Sequence, residues 1–230
     1  MGEHDGHRER FKELSLRAGL ENLPSHNLFE LLLYYVIPRK DTNEIGHALE
    51  KRFGSIKNVF DADYDELIKI DGIGHHAATF LKLMPQFTKL YLLSKNSGGE
   101  PLGCSTQAGE YFLLQYIGIN VETVLLVTLD AQNRVIKCHE LFVGSVNSTY
   151  VDKRKIVEIA MKDNAASLIL AHNHPDGFAI PSKEDIATTT SVHALLKSVN
   201  VNFNDHIIVA DNQFVSLADS GVFGTLKDKY

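Results

Sequence analysis

Between Leu170 and Asp185 the chain carries its most constraining feature. His172 and His174 stand one residue apart, Pro175 and Gly177 break the pattern that follows, and Pro181-Ser182 opens a helix whose first turn contains Asp185. Upstream, Ser167-Leu168-Ile169-Leu170-Ala171 reads as an apolar strand. Residues two apart on a strand point to the same side, so two imidazoles project together from its end. A short loop and a helix start can then bring a carboxylate back beside them. The fold must therefore let a strand end, a tight turn and a helix N-terminus converge. Two imidazoles and one carboxylate form a common facial set for catalytic zinc, which takes three protein ligands and leaves a fourth position for water.

Each part has a structural explanation by itself. His-x-His pairs are common, and Ser182-x-x-Asp185 is also the pattern of a helix capping box, although Asp is shorter than the usual Glu or Gln there. The metal reading rests on their conjunction at this spacing. No H-E-x-x-H of a zincin and no P-C-x-x-C of a nucleobase deaminase is present. The two cysteines, Cys104 and Cys138, form no C-x-x-C pair and lie far in sequence from the histidines, which argues against a disulfide framework and a Cys-rich structural zinc site. Both read as reduced. His139, His193 and His206 sit in largely apolar segments and read as packing residues rather than ligands.

The composition shifts once, at Lys95-Asn96-Ser97-Gly98-Gly99-Glu100-Pro101-Leu102-Gly103. We expect a helical domain over 1–95, a linker over 96–103 and a second domain over 104–230. Leu28–Tyr35 and Ile45–Phe53 carry apolar residues at helical spacing, broken at Pro38, Gly54 and Gly72. After the linker the texture becomes strand-rich. Val124–Leu129, a turn at 130–133 and Val135–Cys138 predict a hairpin; Asp152 predicts a capped helix through about Lys162; Asp205–Val209 and Gln213–Leu217 predict a closing hairpin. The fold class expected is α+β, with a helical part followed by a mixed sheet flanked by helices.

At the metal motif the sequence resembles a known family. His-x-His, seven residues, Ser, two residues, Asp is the signature of the JAMM (JAB/MPN) metalloproteases, and it runs here from His172 to Asp185 without gap or insertion. Glu140–Ser148, His172-Asn173-His174-Pro175, Pro181–Ile186 and Asp205–Val209 narrow the resemblance to the bacterial RadC proteins, over nearly the whole chain. One departure is Asp176, where these proteins usually have Ser. The resemblance implies an MPN/JAB-type domain that uses Zn²⁺ to hydrolyse peptide or isopeptide bonds of a protein substrate. It implies a non-ligand glutamate as general base and Ser182 as hydrogen-bond donor to the oxyanion. Two glutamates are candidates for the base: Glu122, just before the strand Val124–Val127, and Glu140, at the end of the second strand of the hairpin. We favour Glu122.

A second signal lies in the helical part. Asp63-Tyr64-Asp65-Glu66 can cap a helix through Ile70, and Asp71-Gly72-Ile73-Gly74 makes a tight turn before His75-His76-Ala77-Ala78. This resembles a helix-hairpin-helix, in which Gly72 and Gly74 would offer backbone N–H groups to a DNA phosphate. A packed helical hairpin explains the same residues, and no Lys or Arg follows the glycines directly. A net charge of −6 argues against a surface that wraps nucleic acid and leaves room for a small local contact. No run approaches the roughly 20 apolar residues of a membrane span, and the polar start lacks a secretory core, so we expect a cytoplasmic protein. Two function classes stay open: a zinc hydrolase with a recruiting helical domain, and a non-enzymatic DNA-repair accessory in which zinc is structural.

Overall fold

The computed structural model describes residues 3–95, 101–144, 152–175 and 177–221. Contacts divide the chain into two compact units, one up to Thr88 and one from Lys89 onward. Residues 96–100 of the expected linker lie outside the described residues. Among those described, no helix is long and apolar enough to cross a membrane.

The first unit is helical: α1 (Glu3–Ala18), a 3₁₀ turn at Leu20–Asn22, α2 (Ser25–Leu33), α3 (Asn43–Phe53), α4 (Ile56–Asp61), α5 (Tyr64–Leu67) and the start of α6 (His75–Lys95). Helix α3 stops at Gly54, whose φ of +78° is open to glycine at little cost. Ser55 then caps α4 by accepting from the Asn58 N–H. Phe29, Leu33, Leu49, Val59, Leu67, Ala78 and Leu81 form the unit's core. The predicted helix from Asp63 to Ile70 is shorter than expected. α5 is a single turn, and the Asp63 side chain makes no capping hydrogen bond. Ile70 and Ile73 both belong to the core, and the chain coils through successive turns between them to bury both.

The second unit holds α7 (Ser105–Gln115), β1 (Thr123–Leu129), β2 (Val135–Val143), α8 (Lys153–Lys162), β3 (Ser167–Asn173), α9 (Lys183–Ser198), β4 (Asn202–Ala210) and β5 (Gln213–Ser216). The strands form one mixed sheet in the order β2-β1-β3-β4-β5, in which β3 and β4 are parallel and the other pairs antiparallel. The parallel pair needs a crossover, which α9 supplies. Both hairpins expected from the sequence are present, and Asp152 caps α8 through the N–H groups of Arg154 and Lys155.

The sheet is covered on both faces. Val124, Leu126, Leu168, Leu170 and Ile208 pack with Ile156 and Ala160 of α8 and Val192 and Leu196 of α9. Leu125, Val127, Leu129, Ile169, Ala171 and Ile207 pack with Ala108 and Phe112 of α7. Alternate residues of β1 and β3 thus serve opposite cores, which is why these strands read as unbroken apolar runs. Each fully buried leucine contributes roughly 1.5–3 kcal/mol.

Helix α7 departs from the strand-rich texture expected after the linker. Gly109 in its middle lowers helix propensity, and tertiary packing explains the residue: a Cβ there would stand 2.2 Å from the Phe214 ring of β5. The glycine lets helix and sheet approach closely.

Candidate metal centre

His172 ends the apolar run of β3 at the C-terminal edge of the parallel pair, buried between Val124 of β1 and Ile208 of β4. His174 stands one residue past β3, yet its N–H bonds the Val209 carbonyl at 2.8 Å, which carries the ladder one step further. Asp185 is the third residue of α9. It closes a reciprocal capping box with Ser182: the Asp185 N–H donates to Ser182 Oγ at 3.0 Å, and the Ser182 N–H donates to Asp185 Oδ2 at 2.8 Å. The capping-box and metal readings of this motif are therefore compatible, because the box fixes the carboxylate that a metal would use.

These three side chains meet. His172 Nε2 lies 2.9 Å from His174 Nε2 and 3.1 Å from Asp185 Oδ1, and His174 Nε2 lies 4.0 Å from Asp185 Oδ2. One donor atom from each falls within 4.8 Å of the others. Zn–N and Zn–O bonds of about 2.0–2.2 Å at tetrahedral angles place ligand atoms roughly 3.4 Å apart, a spacing that these separations bracket. The two imidazole planes are inclined by 59°, with ring centroids 4.8 Å apart.

The hydrogen bonds select the tautomers. His174 Nδ1–H donates to the Phe178 carbonyl at 2.9 Å, which leaves Nε2 as the nitrogen a metal would take. His172 Nδ1 meets His206 Nε2 at 2.9 Å, His206 Nδ1 meets Thr189 Oγ1 at 2.6 Å, and Thr189 Oγ1 donates to the Asp185 carbonyl at 2.7 Å. Burial pushes the His206 pKa down to about 3, with the neighbouring His172 acting in the same direction, so this ring is neutral. For Asp185, burial raises the pKa, but hydrogen bonding and charge from His172, with Ser182, outweigh it and hold the carboxyl well below the usual range. The centre thus sets the Asp185 carboxylate against two ring nitrogens.

Glu122 precedes β1 by one residue, and its carbonyl accepts from the Gly144 N–H at 3.0 Å. β1 and β3 are antiparallel with Val124 opposite His172, so Glu122 stands at the end of the sheet that carries the two histidines. The segment around it is clamped by a residue that sequence reasoning passed over. Buried Asn173, between the two histidines, accepts from the Thr123 N–H at 2.7 Å and donates to the Val121 carbonyl at 3.1 Å. Glu140 is exposed, and its register partner is Leu125, whose side chain faces the α7 core rather than the α9 core. It belongs electrostatically with Lys89 and Cys138. Ser182 Oγ lies in the centre, its proton directed at Asp185 Oδ2 at 2.6 Å.

The other candidates lie elsewhere. His139 bonds Asp163 at 2.5 Å and His193 is absent from the donor cluster, so neither is a ligand among the described residues. His206 is not a ligand either, but it touches one, which the packing reading missed. A buried polar side chain in the apolar strand Asp205–Val209 was the available signal, since such a group needs a partner. Asp176, and residues 145–148 of the motif that begins at Glu140, lie outside the described residues. Cys104 and Cys138 are free thiols.

In the first unit, His26, His47 and Glu50 form a second group of potential donors. The two rings are stacked 3.9 Å apart at 18°, so their in-plane lone pairs run side by side instead of converging. Glu50 lies 3.4 Å from His26 Nδ1. This is the geometry of a stacked cluster in which Glu50 lies beside one ring. Gly72 has φ +88°, and a Cβ there would press to 2.6 Å from Ile45, so its glycine has a packing reason. At Gly74 a Cβ would meet nothing within 4 Å, and α6 begins at the next residue.

A family model described as the RadC-like JAB domain matches residues 102–222. Similar proteins include a UPF0758 protein of Fusobacterium nucleatum, 35% identical over 96% of this chain and 100% of its own length. A UPF0758 protein of Pseudoalteromonas translucida is 31% identical over 93% of this chain and 96% of its own. One from Herminiimonas arsenicoxydans is 32% identical over 93% and 95%. With the mixed sheet, the helix-capping aspartate and the paired histidines in place, the chain belongs to the RadC family of JAB-domain proteins.

Proposed function

We propose that the protein is a zinc-dependent hydrolase of the JAMM type that cleaves a peptide or isopeptide bond in a protein substrate. One observation carries this reading: the Nε2 atoms of two histidines converge beside the Asp185 carboxylate, and the cluster has three donors among the described residues. Structural zinc is normally enclosed by four protein ligands, whereas three leave room for chemistry. Zn²⁺ held by His172, His174 and Asp185 would bring the pKa of a water to about 7 and polarise a carbonyl.

The chain's own groups supply the rest. Glu122 takes the proton that the attacking water loses and returns it to the leaving nitrogen. Asn173 holds the backbone on both sides of Glu122, which limits where its carboxylate can sit. The Ser182 hydroxyl has one proton, so it orients Asp185 in the free protein and must turn away from it to stabilise a developing oxyanion. We place the protein in the cytoplasm, where two free thiols persist. A peptide library incubated with chelator-washed protein, with and without added Zn²⁺, tests the reading. Cleavage is expected in the zinc-loaded sample alone, and a library untouched in both would favour the accessory role.

The second reading, contact with DNA phosphate by the helical unit, draws on the open approach at Gly74 ahead of α6. The full-length protein should then bind duplex DNA weakly at low salt, without sequence preference, and release it as salt rises. Fluorescence anisotropy checks this. Binding that survives Gly74→Asp unchanged would move the contact elsewhere, and no binding at low salt would make the unit a protein-interaction module.

A further inference from the structure

We infer that His206 and Thr189 are positioning residues that lock His172 in its metal-binding tautomer and tie it to Asp185; this rests on His172 and Asp185 being ligands. The argument follows the protons. A carbonyl can only accept, so the 2.7 Å contact between Thr189 Oγ1 and the Asp185 carbonyl uses the single hydroxyl proton of Thr189. Thr189 Oγ1 must then accept at its other contact, 2.6 Å away, which places the His206 proton on Nδ1. A neutral imidazole with a proton on Nδ1 has a bare Nε2, and at 2.9 Å that atom accepts from His172 Nδ1–H. With Nδ1 committed to His206, His172 turns Nε2 toward His174 and Asp185 as the nitrogen a metal would take.

Every bond in this relay has one donor and one acceptor, and the direction is set at the far end by a backbone carbonyl that cannot reverse. The relay is buried: Thr189 is 0% exposed, His206 2% and His172 5%, so water cannot replace a lost partner easily. It also closes a loop. His172 comes from β3 and Asp185 from α9, and β4, through His206, links one to the backbone of the other. A ligand histidine that donates its second N–H holds its ring orientation and gains basicity, and removal of such a partner typically weakens metal binding about 10–100-fold. Here the acceptor is a neutral histidine whose own tautomer must be fixed, which gives Thr189 a role two hydrogen bonds away from His172.

Two measurements test this on the full-length chain. In metal-free protein at mildly alkaline pH, ¹⁵N NMR of the histidine rings, assigned with His172→Gln, should show the His172 and His206 protons on Nδ1 in both rings. In chelator competition, His206→Leu should bind Zn²⁺ about 10–100-fold more weakly. His206→Gln, whose side-chain carbonyl can accept from His172, should recover most of the loss. Thr189→Val keeps the shape of the side chain and removes the hydroxyl, so it serves even if His206→Leu unfolds; it should weaken Zn²⁺ binding as well, while Thr189→Ser should not. A neutral His172 ring whose single proton sits on Nε2, or Zn²⁺ affinity unchanged in Thr189→Val, overturns the inference. Since the tautomers are read without metal, failure of the wild type to bind Zn²⁺ would refute the hydrolase reading and leave the relay to be judged by NMR.

Discussion

Glu122→Gln is expected to leave zinc content and fold intact and to lower turnover by about 10²–10⁴, the usual cost of losing a general base. Gln nearly matches the shape of Glu but cannot take a proton from the attacking water. The lesion should therefore appear in kcat rather than in metal content. Glu140→Gln is the control. Glu140 is an exposed residue in register with Leu125 and grouped with Lys89 and Cys138, so its loss should leave turnover near wild type. Loss of activity in Glu140→Gln with full activity in Glu122→Gln would reverse the assignment. Ser182→Ala should show two smaller effects. Loss of the N-cap costs roughly 1 kcal/mol of stability, and loss of an oxyanion donor costs up to about 10²–10³ in kcat. Both are read from one preparation, by thermal unfolding and by assay with a substrate from the library.

Removal of a ligand should act on the metal itself. Purified, chelator-washed and reloaded protein is expected to carry about one Zn²⁺ per chain, and His174→Ala or Asp185→Ala should lose most of it. Atomic emission measures the content. Zinc at 100-fold over its dissociation constant should also stabilise the wild type by about 2.7 kcal/mol, read as a rise in Tm that is absent from both variants. Asp185→Ala should further lower the stability of the metal-free protein, since Asp185 receives the Ser182 N–H and hydroxyl in the capping box. His26→Ala separates the two donor clusters: it should retain wild-type zinc, because the stacked rings of His26 and His47 do not converge. Full zinc occupancy in both ligand variants would sink the metal assignment.

What could be read directly from the sequence was what depends on near neighbours. His172 and His174 share a strand side because the pleat repeats every two residues. Ser182 and Asp185 meet because they span one helical turn, and Asp152 caps α8 through residues two and three positions on. The hairpins β1–β2 and β4–β5 followed from apolar runs and the turns between them. The family signature added the expected convergence of these parts. What only the tertiary structure decided lies in contacts between distant residues. Helix α7 forms although Gly109 weakens it, because Phe214, far along the chain, needs the space. The sequence already favoured Glu122 over Glu140, and the register that sets Leu125 opposite Glu140 appears only in the sheet. Asn173 reaches back 50 residues to Thr123, and His172 bonds His206 across 34. No local period encodes such pairs: they exist once β3 lies between β1 and β4, and burial then leaves each polar atom with the protein alone to satisfy it.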